Sequence, residues 1–178
     1  MEKVARPSPP ILASARVVGG LNCLFGGLGV LWNPLVTGGV YVFSATDPAD
    51  PWYRHVTTDP VYRGFLVVFI VMVTAACLVQ VASGIGLLRG KRWGWTLGIG
   101  YAIFSLIAPV AEYLIDYVLA THQIILEAGR AGEEDAFVVQ VAGTAFHIVY
   151  NIAMMIYPAI LLYVLMRPDV RRAFAKRR

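Results

Sequence analysis

Four long apolar segments, at residues 11–32, 61–88, 93–119 and 137–166, constrain this chain more than any other feature. Each exceeds the ~20 residues that carry an α-helix across a hydrocarbon core ~30 Å thick. Lipid offers no partner for backbone N–H and C=O groups, so a spanning segment must satisfy its own, as a helix does. The short alternating segments of a transmembrane β-barrel do not occur in the sequence. Composition points the same way. Hydrophobic residues make up 58% and charged residues only 15%, too few to clothe a soluble globule, where about a quarter of residues are charged. Mean hydropathy is +0.65. The expected fold class is all-α: a polytopic membrane protein, a four-transmembrane-helix bundle forming one domain over residues 1–178. Its outer loops fall at about 33–60 and 120–135.

Local signals mark the ends of these segments. Asp59-Pro60 sets an N-cap acceptor before a proline at the first helical position. Arg89-Gly90 closes the same helix, because Gly90 is free to take a left-handed conformation. Gly132-Glu133-Glu134-Asp135 puts acids where the dipole of the fourth helix favours them, and Arg167-Pro168 stops that helix. Trp32, Trp52, Tyr53, Trp93 and Trp95 fall near the expected interfaces. Asn33-Pro34 interrupts an apolar run that resumes over residues 35–43, which either extends the first helix or lies along the outer interface. A proline-rich turn follows at residues 47–53. Pro109 and Pro158 are expected to kink the third and fourth helices.

Charge encodes orientation. Lys3, Arg6 and Arg16 precede or open the first span. Arg89, Lys91 and Arg92 fill the turn between the second and third. Arg167, Arg171, Arg172, Lys176, Arg177 and Arg178 follow the fourth. Only Arg54, Arg63 and Arg130 lie elsewhere, and the two outer loops are acidic. The positive-inside rule then places both termini in the cytoplasm. The first apolar run is too long for a signal-peptide core and lacks a small-residue cleavage site, so it is read as a retained span. A pI near 9.2 is explained by these topology determinants. Anionic lipid headgroups at the basic cytoplasmic tail are expected partners, and no nucleic acid is.

The two halves share a plan at an offset of about 76 residues, which suggests two parallel helical hairpins. Small residues at four-residue spacing form packing stripes: Ala15, Gly19, Cys23 and Gly27 on the first helix, Ala76, Gln80 and Gly84 on the second, Gly94, Gly98 and Ala102 on the third. They suit close packing within one bundle, and equally a homo-oligomer or a membrane partner protein. Asn22 and Gln80 lie about 9 and 13 Å from the cytoplasmic boundary at 1.5 Å per residue, so a hydrogen bond between them is expected. Cys23 and Cys77 lie deep in the spans without any Cys-x-x-Cys in an outer loop. That argues against a disulfide-relay or vitamin-K-reductase-like thiol chemistry and for small packing residues.

One constellation carries chemistry. Ionisable groups inside spans mark function by default, and here they are Glu112, Asp116 and His147. Glu112 and His147 sit at one depth, about 28 Å from the cytoplasmic boundary. Asp116 follows Glu112 by four residues and Asn151 follows His147 by four, with Tyr150 beside it. Such a cluster suits proton relay or cation binding. The competing reading is that both acids reach interfacial water while His147 hydrogen-bonds within the bundle. No metal is expected, because His-x3-His and Cys/His spacings do not occur. A bis-histidine haem would need a second intramembrane histidine, so no cofactor is expected. Phosphate loops, nucleophile elbows and zincin motifs do not occur either.

The run Ser83-Gly84-Ile85-Gly86-Leu87-Leu88-Arg89-Gly90-Lys91-Arg92-Trp93-Gly94-Trp95 and the ending Arg167-Pro168-Asp169-Val170-Arg171-Arg172-Ala173-Phe174 resemble features of uncharacterised bacterial four-span inner-membrane proteins. The resemblance covers about an eighth of the chain. It implies a bacterial inner-membrane setting and brings no catalytic residues. The expected function is a non-enzymatic accessory or scaffolding bundle. A small proton- or cation-coupled transporter is the alternative, and a membrane-embedded enzyme comes third.

Overall fold

A computed structural model describes residues 10–46, 58–122, 125–126 and 134–175. The expected turn at residues 47–53, together with Arg54, His55, Arg130, Glu133 and the tail residues Lys3, Arg6 and 176–178, lies outside them. The described residues are helical, without a strand among them. The helices are α1 (Pro10–Thr46), α2 (Pro60–Leu88), α3 (Arg92–Asp116), α4 (Glu134–Met166) and α5 (Pro168–Ala175), with a π-helical turn over Tyr117–Thr121. Four stretches are long and apolar enough to cross a membrane: Ala13–Leu35, Pro60–Leu88, Arg92–Leu119 and Val141–Met166. Large apolar side chains such as Leu31, Val71, Ile107, Val149 and Ile156 are exposed on them. In water that surface would be untenable; against lipid it is the ordinary exterior.

The ends form for the reasons read from sequence. Asp59 Oδ1 accepts from the backbone N–H of Val61 (2.8 Å) and Tyr62 (3.2 Å), capping α2. At the other end Gly90 takes φ 64°. Its N–H donates to Leu87 O (3.0 Å), and Lys91 N–H donates to Gly86 O (2.8 Å), the paired bonds that close a helix on a left-handed residue. The first helix differs from the expectation of a loop from residue 33. It continues through Pro34 to Thr46, so residues 35–43 extend it. One interior proline removes a single backbone bond, which a long helix tolerates. Pro109 and Pro158 also lie inside continuous helices.

The described residues fall into two compact units. The first comprises Met1–Gly29, Ala76–Phe104 and Tyr157–Arg178; the second comprises Val30–Ala75 and Ser105–Ile156. In the first, the helices touch through backbone. A Cβ on Gly84 would lie 2.5 Å from Gly19 O and 2.6 Å from Cys23 Sγ, and one on Gly26 would lie 2.8 Å from Cys77 O. Partner numbers fall as α1 numbers rise, so α1 and α2 run antiparallel here. A Cβ on Gly86 would lie 2.5 Å from Gly94 Cα, and one on Gly98 would lie 2.8 Å from both Ser83 Oγ and Leu165 Cδ1. Gly19, Gly94 and Gly98 are thus each approached closely by a neighbouring helix, and Cys23 lies against Gly84. A Cβ at Gly27 meets nothing within 4 Å among the described residues. A strict four-residue stripe rotates away on a helix of 3.6 residues per turn, and the contact face passes instead through Gly26 and Gly29.

Polar groups tie the same four helices together. The Tyr157 hydroxyl on α4 donates to Asn22 Oδ1 on α1. Asn22 Nδ2 donates to Ser83 Oγ on α2 at 3.2 Å, and Ser83 Oγ donates to Gly94 O on α3 at 3.1 Å. The expected bond between Asn22 and Gln80 is replaced by this chain. Gln80, also buried, approaches the Tyr157 hydroxyl instead. One α-helical turn of register separates the two outcomes. Trp95, expected at an interface, turns inward: its Nε1 donates to Leu165 O at 2.9 Å, occupying one of the carbonyls left open at the end of α4. The short α5 buries Val170 and Phe174 in the apolar cluster of Ala15, Val18, Leu87, Ala102, Leu161 and Leu165.

Candidate functional site

Glu112, Asp116 and His147 lie in the second unit. Glu112 and Asp116 share a face of α3, one turn apart, yet they engage different helices. Successive turns are offset by about 40° and 6 Å, enough for each acid to address its own neighbour.

Glu112 faces α4. Its Oε2 lies 3.6 Å from His147 Nε2, and both side chains keep partial solvent access, 18% and 34%. This separation is longer than a direct hydrogen bond and within ion-pair reach when the imidazole is protonated. The Tyr113 ring meets His147 edge to face, with centroids 5.9 Å apart and planes at 78°. Tyr113 stacks on Tyr117 (6.2 Å), and Tyr117 lies against His122 (5.7 Å). His122, read from sequence as a loop residue, therefore closes an aromatic row that begins at His147.

Asp116 faces α2 and folds back on its own chain. Its Oδ1 accepts from the Tyr62 hydroxyl at 2.5 Å, and its Oδ2 accepts from Thr121 Oγ1 at 3.0 Å. Lengths near 2.5 Å belong to O–H donors on carboxylates. Tyr62 and Thr121 are both buried. Residue i+5 of an α-helix points about 140° away from residue i. Thr121 reaches Asp116 because Tyr117–Thr121 is a π turn, closed by the His122 N–H donating to Tyr117 O. Such widened turns recur at functional sites. Neither Tyr62 nor Thr121 was among the residues selected from sequence. The proximity of Thr121 to Asp116 in the chain was the available signal, but α-helical spacing argued against it.

Asn151 lies one turn after His147, and its Nδ2 is buried with no hydrogen-bond acceptor among the described residues. Tyr150 does not join the group. It is exposed and stacks on Phe146 four residues earlier (6.5 Å), because residue 150 points about 100° away from residue 151 on a helix. So Glu112 and His147 come together, Asn151 borders them on α4, Asp116 is held separately, and Tyr150 is elsewhere. Among the described residues no three His, Cys, Asp or Glu side chains gather as metal ligands. Cys23 and Cys77 are not joined in a disulfide. No protein-family model matches this chain, and no curated protein or solved structure matches it.

Proposed function

We propose that the chain is a non-enzymatic accessory or scaffolding protein of the bacterial inner membrane, a four-helix bundle of two hairpins with both termini in the cytoplasm. The supporting observation is that several of its described intramembrane polar groups are taken up by one another. Asn22 binds Tyr157 and Ser83, Asp116 binds Tyr62 and Thr121, and Glu112 faces His147. Polar side chains spent in this way hold helices together, and the remaining exterior is apolar surface for lipid or for partner helices. Native mass spectrometry after gentle detergent extraction tests the reading. A stable complex with a membrane partner or a second copy is expected; a strictly solitary monomer would count against it.

A second reading, proton- or cation-coupled transport, is favoured by one feature. Glu112 and His147 oppose each other in the spans at more than hydrogen-bond length, and the buried Asn151 Nδ2 beside them has no acceptor among the described residues. On this reading Glu112→Gln or His147→Ala lowers proton or cation flux in proteoliposomes by about a hundredfold or more, the usual contribution of a positioned proton-transfer group. Unchanged flux in both variants removes the reading.

A further inference from the structure

The described basic residues of the first unit are gathered by its packing. Ala15, Leu87, Leu165, Val170 and Phe174 share one apolar cluster. Their sequence neighbours Arg16, Arg89, Lys91 and Arg92, and then Arg167, Arg171 and Arg172, are therefore drawn around one layer, and all are exposed. The described acid of this unit, Asp169, is held by Arg167 at 3.0 Å. The short α5 fixes the last of these cations in place. Val170 and Phe174 are four residues apart and fully buried, so this face of α5 is docked and the Arg171–Arg172 side is turned outward. Arg172 Nε also donates to Pro168 O at 3.2 Å. A solvated basic tail, whose only task is orientation, has no need to bury a phenylalanine.

Attraction to an anionic bilayer surface falls off within a Debye length, and each cation held near that surface contributes roughly fivefold to binding. Docking α5 keeps its arginines at the end of the spans, where headgroups lie. We propose that this basic rim, with α5 as its docked edge, binds the phosphate-bearing headgroups of anionic lipids. The inference goes beyond the accessory role and holds with or without a partner protein; it rests on membrane embedding.

The test uses full-length protein in nanodiscs containing phosphatidylglycerol and phosphatidylcholine in equal amounts, with native mass spectrometry of the lipids retained on release. Preferential retention of phosphatidylglycerol is expected. The ratio should fall at least about fivefold in R171Q/R172Q. It should also fall in Phe174→Ala, which keeps every charge and removes the docking contact, with the helix content of the spans preserved by circular dichroism. Millimolar inorganic phosphate should leave the ratio unchanged; displacement by it would assign the rim to a free anion and overturn the headgroup assignment. Equal retention of the two lipids by wild type, or a wild-type ratio in R171Q/R172Q, would overturn the proposal. A wild-type ratio in Phe174→Ala would overturn the role of docked α5.

Discussion

Gly94→Val is expected to lower stability by about 3 kcal/mol or more, at the upper end of the cost of overpacking. A Cβ at Gly94 would lie 2.5 Å from Gly86 Cα and 2.6 Å from Leu87 N. These are backbone atoms, so no side chain can rotate out of the way, and α2 and α3 would have to separate at the hairpin. Separation would also stretch the bond from Ser83 to Gly94 O. In lipid the loss is not softened by a transfer term, since the acyl chains are as apolar as the side chains, and close packing is the main attraction between helices. Gly27→Ala is the matched control. It enters open space and should change stability by no more than ~0.5 kcal/mol, or raise it slightly through helix propensity. Unfolding by SDS in mixed micelles, followed by far-UV circular dichroism, reads both. Equal stability of Gly94→Val and wild type would contradict the packing described.

Asn22→Leu is expected to cost about 1–3 kcal/mol, because it removes the acceptor of the Tyr157 hydroxyl and the donor to Ser83 Oγ together. Asn22 is fully buried and stands between the Tyr157 hydroxyl and Ser83 Oγ. Single hydrogen bonds in membrane proteins average only ~0.6 kcal/mol, but this side chain serves two, one to α4 and one to α2. Tyr157→Phe removes the donor at the other end and should cost about 1 kcal/mol. The double variant should then be more stable than the sum of the singles requires, with a coupling of at least ~0.5 kcal/mol. The same unfolding assay completes the cycle. Strict additivity would show that the two residues do not act through one another.

Much of the fold was legible because lipid limits the options. A run such as residues 61–88 can only be a helix there, and Asp59-Pro60 and Gly90 mark its ends by local stereochemistry that needs no distant partner. What depended on register between helices was less legible. Asn22 and Gln80 were expected to bond each other; both are buried, but rotation and offset decide that Asn22 meets Ser83 and Tyr157. Within the chain the contact passes through Gly26 and not through Gly27, because fixed four-residue spacing drifts off a 3.6-residue helix. Glu112 and His147 were placed at one depth by counting residues, and they lie opposite one another. Asp116 was drawn away by Tyr62, far off in the chain, and by Thr121, which a π turn brought into reach. The docking of α5 had a readable trace, Val170 and Phe174 at four-residue spacing, masked by the arginines around them.

The proposed topology, four crossings with both ends in the cytoplasm, is tested most directly by cysteine accessibility. In a Cys23→Ala, Cys77→Ala background, single reporters are introduced as Lys3→Cys, Asp50→Cys, Lys91→Cys and Lys176→Cys and treated with a membrane-impermeant maleimide. Asp50→Cys is expected to react in intact cells, and the other three only after permeabilisation. Labelling of either terminus or of the residue 91 turn in intact cells, or protection of residue 50, would contradict this topology.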